Sequence, residues 1–388
     1  MICCEKWVCD MDETLLLLQS LMQCRSITPL DAGCQQLIID RLTPLGFQAR
    51  SFSTPTVTNH WITHGQGKPL FVFVGHTDVV PPGDERQWTS PPFTPTLRKG
   101  YLFGRGATDM KSGIAAMVTA MERFITHHPH HPGTLALLLT SDEEGPALEG
   151  TRVVVDFLRE TGLTPDAVLV GEATSETYLG DTLKIGRRGS MHGELTVHGK
   201  QGHIAYPHLA HNPIHAAGAA LTALSNVTLD EGNAHFSPSS LQFHTLSAGT
   251  GATNIIPGSL SAHFNIRFCP ISTPASIERQ LRATLDTLPN LSYTLTLHTT
   301  CEPYYSGRTA FSDLCQTTIQ QVTGVSSQLS TVGGTSDGRF FADLRCPIVE
   351  LGPRITSAHQ IDEQIAVDEL TTLSAIYEQV LINLLAIA

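Results

Sequence analysis

The chain has 388 residues, 41% of them hydrophobic and 15% charged, which suffices for at least one full core and for two domains and excludes disorder as the default. Its net charge of −12 disfavours nucleic acid and anionic membranes as partners, because both need a positive surface that releases counterions from phosphate. Nine cysteines, an odd number without a C-x-x-C pair, indicate neither a disulfide framework nor a thiolate metal site, and no apolar run approaches the ~18 residues of a membrane span.

Residues 1–10 look unlike the periodic sequence that begins near Met11, itself an alternative translation start, and no role is read from them. Leu15 to Leu18 follow Asp12, Glu13 and Thr14 rather than a basic segment, so no signal peptide is expected and the protein is placed in the cytoplasm with reduced thiols. Short apolar runs at 71–74, 134–139 and 167–170 then alternate with helical patterns at 111–124 and 151–158. Such alternation predicts a largely parallel sheet covered by helices. After Gly189 the pattern changes to longer alternating stretches such as 193–198 and 262–268, with helices near 213–224 and 275–285. From about Glu302 the first style returns, with 311–322 helical, 347–351 a buried strand and 367–385 a closing helix. The expected organisation is therefore an α/β domain of residues 1–188 and 302–388, with a mostly parallel mixed sheet and helices on both faces. A smaller α+β domain of residues 189–301 interrupts it. The histidine-rich stretch 127–131 reads as a solvated turn.

Metal-type side chains fall at one edge of the expected sheet. His76 and Asp78 follow the run 71–74, Glu143 and Glu144 follow 134–139, Glu172 follows 167–170, and His359 lies in the loop after 347–351. Ligands of open α/β sheets bind at the carboxyl ends of strands, so these residues should converge on one crevice, with Asp109 joining from the 104–110 loop. Two histidines with several carboxylates and no thiolate suit zinc or a similar divalent ion, and a carboxylate can bridge two metals roughly 3.5–4 Å apart. Of the adjacent acids Glu143 and Glu144, one can ligate while the other moves protons. Asp78, two residues beyond His76 and so on the same side of an extended segment, is expected to hold the imidazole tautomer.

The stretches Gly75-His76-Thr77-Asp78-Val79-Val80-Pro81, Gly104-Arg105-Gly106-Ala107-Thr108-Asp109-Met110-Lys111, Ser141-Asp142-Glu143-Glu144-Gly145 and Val170-Gly171-Glu172 resemble the signatures of the dizinc aminoacylase and carboxypeptidase family. That resemblance implies metal-dependent hydrolysis of the amide of an N-acyl amino acid, with two Zn2+ per subunit for which Co2+ can substitute. It implies His76, Asp109 and Glu172 on one ion and Asp109, Glu144 and His359 on the other, with Asp109 bridging and Glu143 as general acid/base. Lys184-Ile185-Gly186-Arg187-Arg188-Gly189-Ser190, Gln201-Gly202-His203-Ile204-Ala205-Tyr206-Pro207 and Gly333-Gly334-Thr335-Ser336-Asp337-Gly338-Arg339-Phe340 resemble the desuccinylase branch rather than the acetylornithine deacetylases. The branch implies a homodimer through the inserted domain, in which His203 reaches the partner's active site and stabilises the tetrahedral oxyanion. Arg187, Arg188 and Arg267 offer planar donors that suit the carboxylates of a succinylated substrate. The resemblance adds Tyr206, Asn254, Gly334 and Thr335 around that substrate, whereas Lys184 reads as a surface charge. One departure is Ile355, where the branch has an asparagine four residues before the histidine; an apolar side chain cannot replace the hydrogen bonds of an amide. An N-acetyl substrate is therefore the alternative.

Two other readings compete. Gly334-Thr335-Ser336-Asp337-Gly338 formally matches the G-x-S-x-G nucleophile elbow, but a triad built there would leave the carboxylates from Asp78 to Glu172 without a role. A catalytically dead metal-binding protein on the same fold would be marked by loss of Glu143 or Asp109, and both are present.

Overall fold

The computed structural model describes residues 4–386, with side chains from Glu13 onward. Of residues 1–10 only the backbone from Cys4, the first residue of the helix Cys4–Gln23, is described, so Cys3 and the side chains of Cys4 and Cys9 lie outside the described residues. The other six cysteines are free thiols. No described helix is long and apolar enough to cross a membrane. The chain divides into two compact units, one of Met1–Gly186, Ser306–Ser330 and Ser336–Ala388, the other of Arg187–Tyr305 and Thr331–Thr335.

In the first unit an eight-stranded sheet runs in the order Gln48–Ser51, Asn59–Gln66, Gly133–Thr140, Leu70–His76, Ala167–Val170, Ile348–Glu350, Thr182–Lys184, Gln328–Ser330. Leu70–His76 is parallel to both its neighbours, as are Ala167–Val170 to Ile348–Glu350 and Thr182–Lys184 to Gln328–Ser330. Asn59–Gln66 is antiparallel to both of its neighbours, and Ile348–Glu350 meets Thr182–Lys184 antiparallel, which makes the sheet mixed. Every residue of Leu70–His76 is buried. Successive side chains of a strand point to opposite faces, so both faces of the sheet are covered.

The alternation can be followed residue by residue. Phe71, Phe73, Leu135, Leu137 and Leu169 share one core with Ile114, Met117 and Met121 of helix Lys111–His127 and with Leu373, Ile376 and Tyr377 of helix Val367–Leu381. Val72, Val74 and Leu138 are equally buried but outside that core. On Asn59–Gln66 and Gly133–Thr140 lies the helix Thr151–Glu160, which buries Val154, Val155 and Leu158. Each such side chain contributes about 1.5–3 kcal/mol on burial, and the three parallel strands thereby end rigidly at one edge, on His76, Thr140 and Val170.

Two readings of surface residues need correction. Lys184 is buried at 5% exposure, with Nζ 3.4 Å from Ser330 Oγ and 3.6 Å from Glu176 Oε1. Its strand lies inside the sheet, where an ammonium needs partners. In the 127–131 turn, His127 and His130 are exposed, but His131 Nε2 is 2.9 Å from His64 Nδ1 and its ring packs on Phe124.

The second unit has a four-stranded antiparallel sheet in the order Ser240–Ala248, Ser259–Phe268, Gly189–His198, Ser292–Cys301. Along Ser259–Phe268 every second residue is buried, and Leu260, Ala262, Phe264, Ile266 and Phe268 join Leu195, Leu224, Ile277 and Leu281 in a separate core beneath helices Pro213–Ser225 and Pro274–Asp286. Both helices start where the sequence dictates: Asn212 caps one and Thr273 with Ser276 forms a capping box on the other, each followed by proline. Gly193 pairs with Phe264, and a Cβ there would stand 2.1 Å from the Phe264 ring, so the ring lies over the bare backbone of its neighbour. Asp230 ties the loops together, accepting from the Ser239 and Gly232 N–H groups and from the Ser239 and Ser272 hydroxyls. Burial alone would raise its carboxyl, but these donors outweigh it and hold the pKa at about 2.

Candidate metal centre

His76 closes its strand at 1% exposure. Its Nδ1 lies 2.9 Å from the Asp78 carbonyl oxygen, so Nδ1 carries the proton and Nε2 is aimed at Asp109 Oδ1, 3.2 Å away, and Glu172 Oε1, 3.4 Å away. The carbonyl of Asp78, rather than the expected carboxylate, makes this bond; the carboxylate stands 3.6 Å from Nδ1. The carboxylate accepts instead from the backbone N–H groups of Glu143 and Glu144 at 3.4 and 3.1 Å, which fixes the loop that carries both acids.

Asp109 faces two imidazoles at once. Its Oδ1 contacts His76 and its Oδ2 lies 3.2 Å from Nε2 of His359, which is also 2.9 Å from Glu144 Oε1. The ligating atoms of His76, Asp109 and Glu172 lie within 4.8 Å of one another, and so do those of Asp109, Glu144 and His359. Glu143 belongs to neither group and is half-buried beside them.

Three largely buried carboxylates leave an excess of negative charge around the two imidazoles, which shifts the pKa values of the cluster. Hydrogen bonds to Asp109 and Glu144 raise His359 to about 10. Burial opposes charging of His76, yet hydrogen bonds to Asp109 and Glu172 raise it well above the usual imidazole range. Burial likewise works against ionisation of Asp109, but His359 and His76 together hold it low. Glu172 is pushed up to about 7, chiefly by burial and then by the charge of Asp109. Burial also pushes Glu143 well above the usual carboxylate value, with Glu172 and Asp337 adding and His76 opposing. Imidazole nitrogens and carboxylate oxygens without thiolate, converging with surplus negative charge, form a donor set that fits two divalent cations of the zinc type.

The remaining expected residues lie in the second unit. His203 is exposed on the two-residue strand Gly202–His203, pairs in the ladder with Ile255, and accepts from the Ala205 N–H at Nδ1. Tyr206 stands beside it with ring centroids 5.6 Å apart, and the Asn254 carbonyl accepts from Ile204 N–H. Arg187 is buried, with Nη1 3.4 Å from the Val332 carbonyl. Burial and the charge of Arg267 lower the pKa of Arg188, whose buried Nε has no hydrogen-bond partner. Gly334 is exposed and Thr335 half-buried.

The nucleophile-elbow reading fails on geometry. Ser336 is fully buried, donates to Glu350 Oε1 at 2.6 Å and caps Gly338 N–H, so its hydroxyl is committed to structure. Ile355 is 47% exposed in the single turn Ile355–Ser357. The apolar runs did not reveal Glu363 or its role against Arg105, because the two are 258 positions apart and only the fold brings them within 2.7 Å.

The sequence profile described as Peptidase family M20/M25/M40 matches residues 72–383. A succinyl-diaminopimelate desuccinylase from Coxiella burnetii is 50% identical over 367 residues, 95% of this chain and 98% of that protein. The crystal structure of an M20 family metallo-carboxypeptidase from Sulfolobus solfataricus matches with a TM-score of 0.79 at 18% identity, covering 95% of this chain and 98% of that one. A dinuclear metal-binding M20 peptidase from Bacillus subtilis matches with a TM-score of 0.71 at 15% identity, covering 97% and 99%. At such identities the two solved structures speak for the fold.

Proposed function

The chain belongs to peptidase family M20/M25/M40, and on that premise we propose that it hydrolyses N-succinyl-LL-2,6-diaminopimelate to succinate and LL-2,6-diaminopimelate, a step toward lysine and cell-wall precursors. The observation that carries the hydrolytic reading is the pair of ligand groups that share Asp109, with Glu143 beside them. The substrate rests on the similarity to the desuccinylase.

In this reading His76, Asp109 and Glu172 hold one cation and Asp109, Glu144 and His359 the other, with zinc as the ion and cobalt as a substitute. When bound, such cations polarise the amide carbonyl and lower the pKa of water to about 7. Glu143 takes a proton from the attacking water and gives it to the leaving nitrogen as the C–N bond breaks, so water adds across the amide and leaves succinate and a free amine. Asp78 keeps both the imidazole of His76 and the backbone of Glu143 in place. The carboxylates of the substrate fall to Arg187, Arg188 and Arg267, with Tyr206, Asn254, Gly334 and Thr335 around it. The mutual charge of Arg188 and Arg267 supports that part, since two guanidinium groups close together favour an anion between them. Free thiols at the six described cysteines suit the reducing cytoplasm.

With zinc-loaded protein, kcat/KM for N-succinyl-LL-2,6-diaminopimelate should exceed that for N-acetylornithine by about 10³-fold or more, because the acetyl group leaves the succinyl carboxylate's donors unpaired. Ile355, exposed where the branch has asparagine, offers the substrate no amide hydrogen bond, and the acetyl reading is the alternative. Equal or reversed specificity in steady-state kinetics would establish it.

The second unit serves as the dimer interface in this proposal, and His203 of one protomer donates to the oxyanion at the other's site. Oxyanion stabilisation needs a donor already in position, so no isolated protomer would own a complete site. Mixing inactive His203→Ala and Glu143→Ala proteins under subunit exchange should make about half the dimers mixed, each with one intact site, and restore roughly a quarter of wild-type sites. If exchange is demonstrated and no activity returns, His203 does not act across an interface.

A further inference from the structure

We propose that Arg105 and Glu363 form a positioning pair that sets the separation of the two cation sites by gripping the backbone on both sides of the shared ligand; the inference rests on the dimetal reading above. Glu363 is fully buried, and its two oxygens are saturated by four donors. Oε1 accepts from the N–H groups of Thr108 and Asp109 at 2.7 and 3.0 Å, and Oε2 from the Gly106 N–H at 3.1 Å and Arg105 Nη1 at 2.7 Å. The bridging ligand is thus held through its own amide.

Arg105 carries the grip to the other ligand segments. Its Nη1 also donates to the Gln360 carbonyl at 3.2 Å, and its Nη2 lies 3.4 Å from the carbonyls of His359 and Pro81. Trp88 stacks near the guanidinium, 5.1 Å from centroid to Cζ. His359 has φ +63°, a left-handed conformation that a histidine adopts at a cost, and a donor on its carbonyl helps to keep it there. The strand Gln364–Ala366 pairs with Tyr101–Phe103, which brings the 104–110 loop and the 359–363 loop side by side. Consequently Asp109 and His359, far apart in sequence, are registered against each other through one ion pair. Neither Arg105 nor Glu363 offers an atom to the cations. A buried ion pair is a poor device for raising stability, since desolvation offsets the attraction, but it is a good one for fixing geometry.

The substitution Glu363→Gln keeps volume and shape but turns an –NH2 toward two N–H donors whichever way the amide is oriented. Zinc affinities of metal-free wild type, Glu363→Gln and Arg105→Lys are measured by competition with a chromophoric chelator, together with the thermal midpoint of each metal-free protein, kcat and KM. Glu363→Gln should bind both ions about 10–100-fold more weakly, because both use Asp109. Its kcat should fall with KM little changed, and excess zinc should restore part of it, at a thermal midpoint of the metal-free protein close to that of the wild type, which general destabilisation would not leave. Arg105→Lys keeps the charge but loses the fork to His359 and Pro81, so the ion on the His359 side should weaken most. A wild type with two tight ions and a folded Glu363→Gln with unchanged affinities overturns the proposal while leaving the dimetal reading intact. If Glu363→Gln does not fold, unchanged affinities in Arg105→Lys overturn it. A wild type that takes up no ion removes the proposal together with the reading it rests on.

Discussion

Changing Glu143 to Gln should lower kcat by ~10²–10⁴ while both cations stay bound. Glu143 stands outside both ligand groups, so its loss removes no donor from either ion. Glutamine keeps the volume and can still hydrogen-bond, but it cannot accept a proton from water and return it to the amine. The backbone of the loop would be unaffected, since Asp78 holds it through the N–H groups of residues 143 and 144 and not through the Glu143 side chain. Metal content by mass spectrometry and turnover on the same sample check this. Near-normal turnover in a metal-replete Glu143→Gln protein would end the assignment of Glu143 as the proton carrier.

Asp109→Ala should have the opposite signature: activity disappears because the ions do. Each oxygen of Asp109 faces a different histidine, so alanine reduces both groups at once, leaving His76 with Glu172 and Glu144 with His359. Two protein ligands per ion bind far more weakly than three. Stoichiometry should drop from two ions toward none, whereas His359→Ala should lose the ion of its own group and retain the other. Two tightly held ions in Asp109→Ala would show that this carboxylate does not bridge.

The apolar runs at 71–74, 134–139 and 167–170 are legible because a strand buried on both faces is made mostly of apolar side chains. Once those strands were placed, so were the segments that follow them, and His76, Glu144, Glu172 and His359 meet in space although 283 positions separate the first from the last. Asn59–Gln66 carries no such signal. It is the strand Asn-His-Trp-Ile-Thr-His-Gly-Gln, half-buried at Thr63 and His64 and exposed at its end, and its polar residues find partners such as Thr140 for Asn59 and Gln35 for His60. The orientation of His76 was legible only in part, because the atom that fixes the ring is a backbone carbonyl, which every residue has and no side-chain pattern marks. The burial of Lys184 leaves no mark for a related reason: its three-residue strand is too short to show a period. Arg105 and Glu363 were hidden most deeply, since a buried ion pair is two ordinary charges until the fold brings them together.

The strand order of the first unit has a consequence for how the chain is made. Ile348–Glu350 lies between Ala167–Val170 and Thr182–Lys184, yet the ribosome delivers it only after all of Arg187–Tyr305 has emerged. At roughly 5–20 residues per second, the stretch from Tyr305 to Ile348 takes several seconds to follow, and until then the first unit cannot close its sheet. During that interval Ala167–Val170 and Thr182–Lys184 each present a bare edge, the kind of surface on which nascent chains aggregate and which chaperones cover. A chain truncated before Ile348 would leave those edges unpaired and would lack His359.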